Sequence, residues 1–211
     1  MSIGLAIFFI TLIMLFNVVW IENYNNSYIK KESAVLILKN NRNAVSSAVH
    51  IGNGYVLTSL HGISDDTEIE LTTESAVMLD SKLLWTSNFY DIALYQIDKY
   101  NMLEKYTVDC TPLELHEELT FKGNPLNLRH ISLKGIVAGK TILDMTKDWS
   151  HLVPVQATIA PGMSGGPAID TSGKLRGINI GSMVQRHPVG HTFVGVSYIV
   201  PTEAICKLLA R

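Results

Sequence analysis

The sequence predicts an all-β protein, and three observations support that class. From residue 33 onward, short runs rich in β-branched and apolar residues recur about every ten residues, with Gly, Asn or Asp between them. A single helical pattern stands out, at residues 202–209. Strands do not alternate with long helical patterns, so a β-sandwich or a pair of barrels is favoured over parallel β-α-β units.

The first 21 residues are predicted to form a separate element. Residues 3–21 carry no charge, and 19 helical residues span about 28 Å, close to the thickness of one bilayer core. We therefore expect a transmembrane anchor at residues 1–21, in contact with membrane lipid through residues 3–21. A polar linker at residues 22–32 would then precede a folded domain at residues 33–211.

Two alternatives to an anchor remain, and the orientation is open. A cleaved signal peptide is weaker because no Lys or Arg precedes the apolar run, and a buried core helix is weaker because the run is apolar on all sides. Lys30 and Lys31 follow the run, and the positive-inside bias then favours a cytoplasmic domain. We expect a single-pass membrane protein, with the side of the membrane left uncertain.

The predicted strands follow one another with turn residues between them. They lie at residues 34–38, 44–52, 54–59, 67–71, 91–97, 135–143, 152–159, 166–170, 175–181 and 192–200. Residues 183–191 are expected to form a loop. The helix follows Pro201, and Thr202 is its expected N-terminal cap.

Charge, cysteine and histidine content bound the class of protein. The formal net charge of −2 gives no basic footprint, so we expect no nucleic-acid partner. Cys110 and Cys206 allow one disulfide at most, and two free thiols are the favoured interpretation. His187 and His191 are four residues apart, but the Pro and Gly between them disfavour a helix, so we expect no metal site and no cofactor.

Residues 161–167, Pro-Gly-Met-Ser-Gly-Gly-Pro, carry the clearest chemical signal in the chain. A serine between glycines lies on a tight turn where backbone amides can point at a reacting oxygen. Ser164 is therefore the candidate nucleophile, and the amides of Gly162 and Ser164 are the candidate oxyanion donors. A purely structural Gly-Ser turn is the alternative for this segment taken alone.

Two further segments supply the partners that a serine nucleophile needs. His61 follows the predicted strand at residues 54–59 and opens a turn, where a general base can be held rigidly. Asp91 precedes a predicted buried strand, where an unpaired carboxylate would be costly and an imidazole N–H would be a suitable partner. Taken alone, His61 could be a surface or capping histidine, and Asp91 could be an exposed aspartate in a turn.

The order His61, Asp91, Ser164 is that of chymotrypsin, with sequence spacings of 30 (61 to 91) and 73 (91 to 164). The chain here resembles the trypsin-like serine proteases, and among them the HtrA type. The resemblance is carried by residues 51–63, 91–98, 121–139, 155–181 and 195–205.

The resemblance implies two packed six-stranded antiparallel β-barrels, with the triad His61, Asp91 and Ser164 in the cleft between them. It also implies endopeptidase chemistry through an acyl-enzyme, in which Ser164 attacks the peptide carbonyl while His61 takes its proton. Met163 stands where digestive trypsin-like enzymes carry an Asp, so activation by a freed N-terminus is not expected. A PDZ domain after Arg211 is likewise not expected.

The resemblance also implies three walls of a pocket for the side chain that precedes the cleaved bond. They are Thr158, Ile159 and Ala160; Ile180, Gly181 and Ser182; and Gly195, Val196 and Ser197. None of these residues is charged, so we expect a preference for small or medium apolar side chains.

The favoured interpretation is a membrane-anchored serine endopeptidase that acts on polypeptide substrates. The first alternative is a catalytically silent, membrane-tethered binding module of the same fold. An esterase or a self-processing protein that uses the same residues is a third. The sequence leaves the oligomeric state unknown.

Overall fold

A computed structural model describes residues 30–63, 68–146 and 149–210. The chain divides into two units, Met1–Lys31 and Glu32–Arg211, and every element described below belongs to the second. The predicted anchor at residues 1–21 and most of the predicted linker at residues 22–32 lie outside the described residues. Within the described ranges, no helix has both the length and the apolar character that crossing a membrane requires.

Seven antiparallel strands form the first sheet. In chain order they are β1 (Val35–Asn40), β2 (Val45–Gly52), β3 (Tyr55–Ser59), β4 (Ile69–Thr72), β5 (Met78–Leu79), β6 (Ser81–Ser87) and β7 (Ile92–Ile97). Their order across the sheet is β5-β4-β1-β2-β3-β7-β6. Six strands were expected, and the additional strand β5 is only two residues long.

The second sheet also has seven strands, and six of them close into a barrel. The strands are β8 (Glu118–Gly123), β9 (Ile131–Val137), β10 (Ile142–Thr146), β11 (Trp149–Gln156), β12 (Pro167–Ile169), β13 (Leu175–His187) and β14 (Gly190–Pro201). The order is β10-β11-β14-β13-β12-β8-β9, and β9 also pairs with β11. That pairing closes the predicted six-stranded barrel and leaves β10 outside it, paired only with β11.

Side chains that alternate along the strands build three cores. On β7, Ala93 and Tyr95 pack inside the first sheet, where burial raises the pKa of Tyr95 to about 12. Ile92 and Leu94 on the same strand face a second core, shared with residues of β12, β13 and β14. A third core, around Phe121, fills the closed barrel. Because β7 is buried on both faces, the residue at its start is held rigidly.

The C-terminal helix α1 (Thr202–Leu209) begins and ends where the sequence predicts, but its predicted cap is wrong. Pro201 occupies the N-cap position. The hydroxyl of Thr202 is instead buried, 2.5 Å from the carbonyl oxygen of Asp109 and 3.0 Å from that of Arg176.

The side chain of Asp109 is fixed by its own neighbours. Hydrogen bonds from the amide and hydroxyl of Thr111, and then from Lys174, hold the pKa of the Asp109 carboxyl below its usual range.

The expectation of two free thiols is wrong. Cys110 and Cys206 form a disulfide whose Cα atoms are 5.9 Å apart. The bond links two segments 96 residues apart in sequence, and it ties helix α1 to the connection that precedes β8. The sequence separation gave no sign of this proximity, which depends on the packing of α1.

Several strand boundaries differ from prediction for identifiable reasons. The predicted strand at residues 135–143 is wrong, because β9 ends at Val137 and β10 begins at Ile142. The predicted loop at residues 183–191 is instead largely strand, since β13 and β14 continue as a paired hairpin toward a turn near residue 188. Strands β6 and β8 were not among the predicted strands, because every residue of β6 and half of those of β8 are partly or fully exposed.

Candidate active site

His61 and Asp91 meet at the ends of two paired strands of the first sheet. His61 lies in a 3₁₀ turn directly after β3, and Asp91 directly precedes β7. Ser59 pairs with Ile92 in the ladder, and the amide of Leu60 donates to the carbonyl of Asp91 at 2.9 Å. The ladder therefore places the two side chains together, as the sequence predicts.

The carboxylate of Asp91 holds His61 at two points. Oδ2 of Asp91 contacts Nδ1 of the imidazole, and Oδ1 accepts the backbone amide of His61 at 2.8 Å. A carboxylate only accepts hydrogen bonds, so Nδ1 carries a proton and donates it. In the neutral ring Nε2 is then left as an acceptor, which is the state that a general base requires.

The two residues differ in exposure as a base and its orienting partner should. The side chain of Asp91 is 6% exposed and that of His61 is 39% exposed. Asp91 has a φ of +55°, a left-handed conformation that is uncommon for a residue with a Cβ atom. The surrounding structure holds this strained residue in place, a feature that concentrates at functional sites.

The third predicted residue, Ser164, lies on the second sheet's side of the site. Its hydroxyl donates to the carbonyl of Ile180 at 2.8 Å. Both Ser164 and His61 are described residues, and no hydrogen bond joins them. The structure therefore brings His61 and Asp91 together and leaves the hydroxyl of Ser164 on a backbone carbonyl of β13.

The oxyanion loop, residues 161–164, is fixed through its carbonyl groups. All four accept hydrogen bonds: Pro161 from the amide of Leu126 (3.0 Å), Gly162 from the hydroxyl of Ser47 (2.7 Å), Met163 from the amide of Gly166 (3.0 Å) and Ser164 from the amide of Ser47 (2.8 Å).

The amides of Gly162 and Ser164 have no hydrogen-bond acceptor among the described residues. In a trans peptide the N–H points away from the C=O of the same unit. Because the carbonyls of Pro161 and Met163 are held, the amides that follow them are directed the other way. Two unpaired amides on one short loop have the arrangement of a preformed oxyanion hole.

Two glycines allow the loop to pack this closely. Gly162 has a φ of +98°, and a Cβ atom there would overlap the carbonyl oxygen of Asn124. Gly165 has a φ of +83°, and a Cβ atom there would overlap the carbonyl oxygen of Ser47. Both positions therefore need glycine for backbone conformation and for space.

The three predicted pocket walls converge, and two serine hydroxyls tie them together. Ser182 and Ser197 face each other across the β13–β14 ladder, with their Oγ atoms 2.6 Å apart. Ser182 Oγ lies 2.6 Å from the carbonyl of Ile159, whereas Ser197 Oγ accepts the amide of Ile159 at 3.0 Å. Of the remaining wall residues, Thr158 is exposed, whereas Ala160, Ile180, Gly181, Gly195 and Val196 are buried or partly buried.

Sequence reasoning missed Trp149, which lies beside His61, the candidate base. Its ring is 6.1 Å from the imidazole of His61, measured between centroids. A Cβ atom on Gly181 would come within 3.3 Å of the edge of this indole, so Trp149 occupies the space that a side chain at residue 181 would fill. The backbone of Trp149 is placed by its pairing with Thr146 of β10, and no local sequence pattern indicates this pairing.

Sequence reasoning also missed Ser47 and Asn124. Ser47 lies in a largely buried strand, and two adjacent serines there were a signal that one hydroxyl has a buried partner. Asn124 is buried, and its side-chain amide donates to the carbonyl of Leu36 and to Ser47. Ser47 hydrogen-bonds directly to residues 162 and 164, and Asn124 hydrogen-bonds to Ser47. These partners are far apart in sequence, so their place in the site becomes visible only once the two sheets are packed.

Comparison with known proteins agrees with this fold. The profile of the trypsin-like peptidase domain family matches residues 46–178. A "probable periplasmic serine endoprotease DegP-like" of Pseudomonas putida is 30% identical over 151 residues, covering 72% of this chain and 31% of that protein.

Two solved structures have the same fold. The serine endoprotease from Yersinia pestis superposes with a TM-score of 0.70 at 24% identity, covering 89% of this chain and 65% of that chain. The HtrA-type protease AlgW with tripeptide superposes with a TM-score of 0.73 at 22% identity, covering 89% and 62%.

The chain belongs to the trypsin-like peptidase domain family. The resemblance to the HtrA type is confirmed by the names of its relatives and structural neighbours. The chain spans about a third of the length of the Pseudomonas relative that it matches.

Proposed function

We propose that this protein is a serine-type endopeptidase in which Ser164 is the nucleophile, His61 the general base and Asp91 the residue that orients the base. The observation that carries the proposal is the pair of unpaired amides at Gly162 and Ser164, on a loop whose carbonyls are all held. These two N–H groups take no part in the hydrogen bonds that hold the described structure together. A hydrolase uses them to stabilise the oxyanion of the tetrahedral intermediate.

The proposed reaction begins with a rotation of the Ser164 side chain. Its hydroxyl leaves the carbonyl of Ile180 and turns toward Nε2 of His61, a change between staggered positions about one bond. His61 removes the proton as Ser164 attacks the peptide carbonyl, and it then protonates the leaving amine. In the second half of the reaction, water attacks the acyl-enzyme while His61 takes its proton, and His61 then returns that proton to the leaving oxygen of Ser164. Catalytic hydrogen bonds are often absent from a free enzyme and form when substrate binds.

We propose that the substrates are polypeptides with a small apolar side chain before the cleaved bond. The contact of Ser182 with the carbonyl of Ile159 joins two opposite walls of the pocket and supports a shallow site. The walls contain no charged residue, so a basic or acidic side chain would lose its hydration without gaining a partner.

We also propose that the domain works in the cell envelope, outside the cytoplasm. The named DegP-like relative is periplasmic, and a disulfide between Cys110 and Cys206 suits an oxidising compartment. The membrane anchor at residues 1–21 remains part of this proposal on sequence grounds alone. This location opposes the cytoplasmic orientation that Lys30 and Lys31 favour.

The test of the proposed function is hydrolysis of a peptide library by the purified chain, with Ser164→Ala as the matched control. We expect cleavage by the wild type after small apolar residues and none by the variant. A chain that binds peptides without cleaving them would support the silent binding module instead. Cleavage confined to ester substrates would support the esterase, and cleavage confined to the chain's own residues 22–33 would support self-processing.

A further inference from the structure

Ser47 connects the first sheet to the oxyanion loop. It lies on β2, and none of its surface is exposed. Its hydroxyl oxygen is 2.7 Å from the carbonyl oxygen of Gly162, 2.9 Å from the backbone nitrogen of Asn124 and 3.1 Å from Nδ2 of Asn124. All three neighbours therefore lie within hydrogen-bond distance of one buried oxygen.

The direction of each hydrogen bond follows from the chemistry of the neighbours. A serine hydroxyl has one hydrogen to donate and two lone pairs that accept. Both groups of Asn124 are N–H donors, so they occupy the lone pairs of Ser47. The amide of Asn124 is itself fixed, because Nδ2 also donates to the carbonyl of Leu36 and Oδ1 accepts the amide of His130. The hydrogen of Ser47 is left to bind the carbonyl of Gly162.

The backbone of Ser47 holds a second point on the same loop. Its amide donates to the carbonyl of Ser164 at 2.8 Å. Ser47 thus supplies two of the four hydrogen bonds that hold the carbonyls of the oxyanion loop, on either side of Met163. The other two come from Leu126 and Gly166.

We propose that Ser47 is a positioning residue for catalysis, and this inference rests on the proposed function. Its hydroxyl holds the peptide unit between Gly162 and Met163, which lies between the two units that supply the oxyanion amides. Gly162 has no Cβ atom and so can adopt many backbone conformations. With its carbonyl released, the neighbouring peptide units are free to rotate and turn a donor away from the substrate oxygen.

A stability effect alone would not test this role. Ser47→Ala leaves the carbonyl of Gly162 and two N–H groups of Asn124 without a partner, so some loss of stability is expected from burial alone. Such a loss lowers the concentration of folded protein. It does not change how much more tightly each folded molecule binds a transition-state analogue than a ground-state analogue, and this preference is the property to measure.

The experiment compares two inhibitors with the peptide sequence that the wild type cleaves best. The trifluoromethyl ketone forms a tetrahedral adduct whose oxyanion needs the amides of Gly162 and Ser164. The corresponding alcohol forms no adduct and reports ground-state binding. Loss of one direct oxyanion donor costs about 100- to 1,000-fold, so for a residue that orients the donors we expect the preference for the ketone to fall about 10-fold or more in Ser47→Ala. We expect kcat to fall in parallel, with KM nearly constant.

Ser46→Ala is the matched control. Ser46 is the preceding residue of the same strand, and its buried hydroxyl has no hydrogen-bond partner among the described residues. The control therefore removes the same atom from the neighbouring position without releasing the oxyanion loop. Its preference for the ketone should equal that of the wild type.

A second variant covers the case in which Ser47→Ala does not fold. Ser47→Cys keeps a polar atom of similar shape, but a thiol is a weak donor, so it should show the same change in smaller degree. An active wild type with an unchanged preference in the folded Ser47 variant would overturn this inference and leave the proposed function standing. A wild type that cleaves no peptide and does not prefer the ketone would overturn the proposed function instead.

Discussion

The two halves of the site are held in different ways. His61 and Asp91 are joined by a direct contact between side chains at the ends of β3 and β7, and their hydrogen-bonded pair is already assembled. The oxyanion loop is held through backbone carbonyls, by partners as distant in sequence as Ser47 and Leu126. The geometry of the His61–Asp91 pair therefore depends on the identity of the two side chains. The geometry of the oxyanion loop depends on how distant parts of the chain pack against its backbone.

Asp91→Asn tests the half of the site that depends on residue identity, and it should have the largest effect. Asparagine can keep the shape of the site while donating toward Nδ1, which favours the wrong tautomer of His61. We expect kcat for peptide cleavage to fall by about 10,000-fold with little change in KM.

The control for this variant is Asp80→Asn, at an exposed carboxylate of the same sheet region. It removes the same charge far from the imidazole and should leave kcat within about twofold of the wild type, because surface charges contribute little. An Asp91→Asn enzyme with nearly full activity would show that the orientation of His61 does not depend on this contact.

Gly162→Ala tests the half that depends on packing. The new methyl group would overlap the carbonyl oxygen of Asn124, at a φ of +98° that alanine rarely adopts. Displacement of the loop should misdirect one oxyanion amide and lower kcat by about 100-fold. Steady-state kinetics on the best peptide substrate would measure this effect.

Gly173→Ala is the matched control. It places alanine at a similar positive φ, but its new methyl group overlaps no neighbouring atom. Gly173 has a φ of +82°, and a Cβ atom there would meet nothing within 4 Å. We expect about 1 kcal/mol of lost stability and unchanged kcat. Equal losses of activity in both variants would mean that backbone strain, and not the position of the loop, limits catalysis.

Ser182→Gly changes the proposed pocket and leaves both the His61–Asp91 pair and the oxyanion loop intact. Removing the hydroxyl opens the contact between Ser182 and the carbonyl of Ile159, and it deepens the proposed pocket. We expect kcat/KM for a substrate with Leu before the cleaved bond to rise relative to Ala by about 10-fold. An unchanged ratio in competition assays would show that another wall limits the pocket.

The disulfide between Cys110 and Cys206 contacts neither half of the candidate site, so its removal should affect stability only. Replacing both Cys110 and Cys206 by Ser removes a link across 96 residues. The free energy of unfolding should fall by about 2–4 kcal/mol, the typical contribution of a disulfide, while kcat of the folded protein stays constant. Denaturant titration with parallel activity measurements would check both parts, and a large loss of kcat would link α1 to the site.

The sequence predicted one contact of the candidate site correctly and another wrongly. The contact of His61 with Asp91 could be predicted, because His61 follows one apolar run that forms a strand and Asp91 precedes another. The hydroxyl of Ser164 was expected beside His61 and instead binds the carbonyl of Ile180. The rotamer of Ser164 depends on a backbone carbonyl that lies close to it in the fold. Every residue has a backbone carbonyl, so the order of side chains in the sequence could not predict this hydrogen bond.

The same distinction explains the outcome for the fold. Strands with dense apolar runs, such as β3 and β7, and the helix α1 were predicted nearly to the residue. Strands β6 and β8 were missed because exposed polar residues interrupt their apolar patterns, and it is pairing with β7 and β9 that holds them in the sheets. The pairing of Cys110 with Cys206 was missed for this reason too, since only the packing of α1 brings the two thiols together.

The most direct test of the proposed nucleophile is covalent labelling with a fluorophosphonate, mapped by mass spectrometry. We expect one adduct, on Ser164, which forms at least about 1,000-fold more slowly in His61→Ala. A folded wild-type chain that forms no adduct, or a His61→Ala variant whose Ser164 is labelled as fast as in the wild type, would rule out the proposed nucleophile and base.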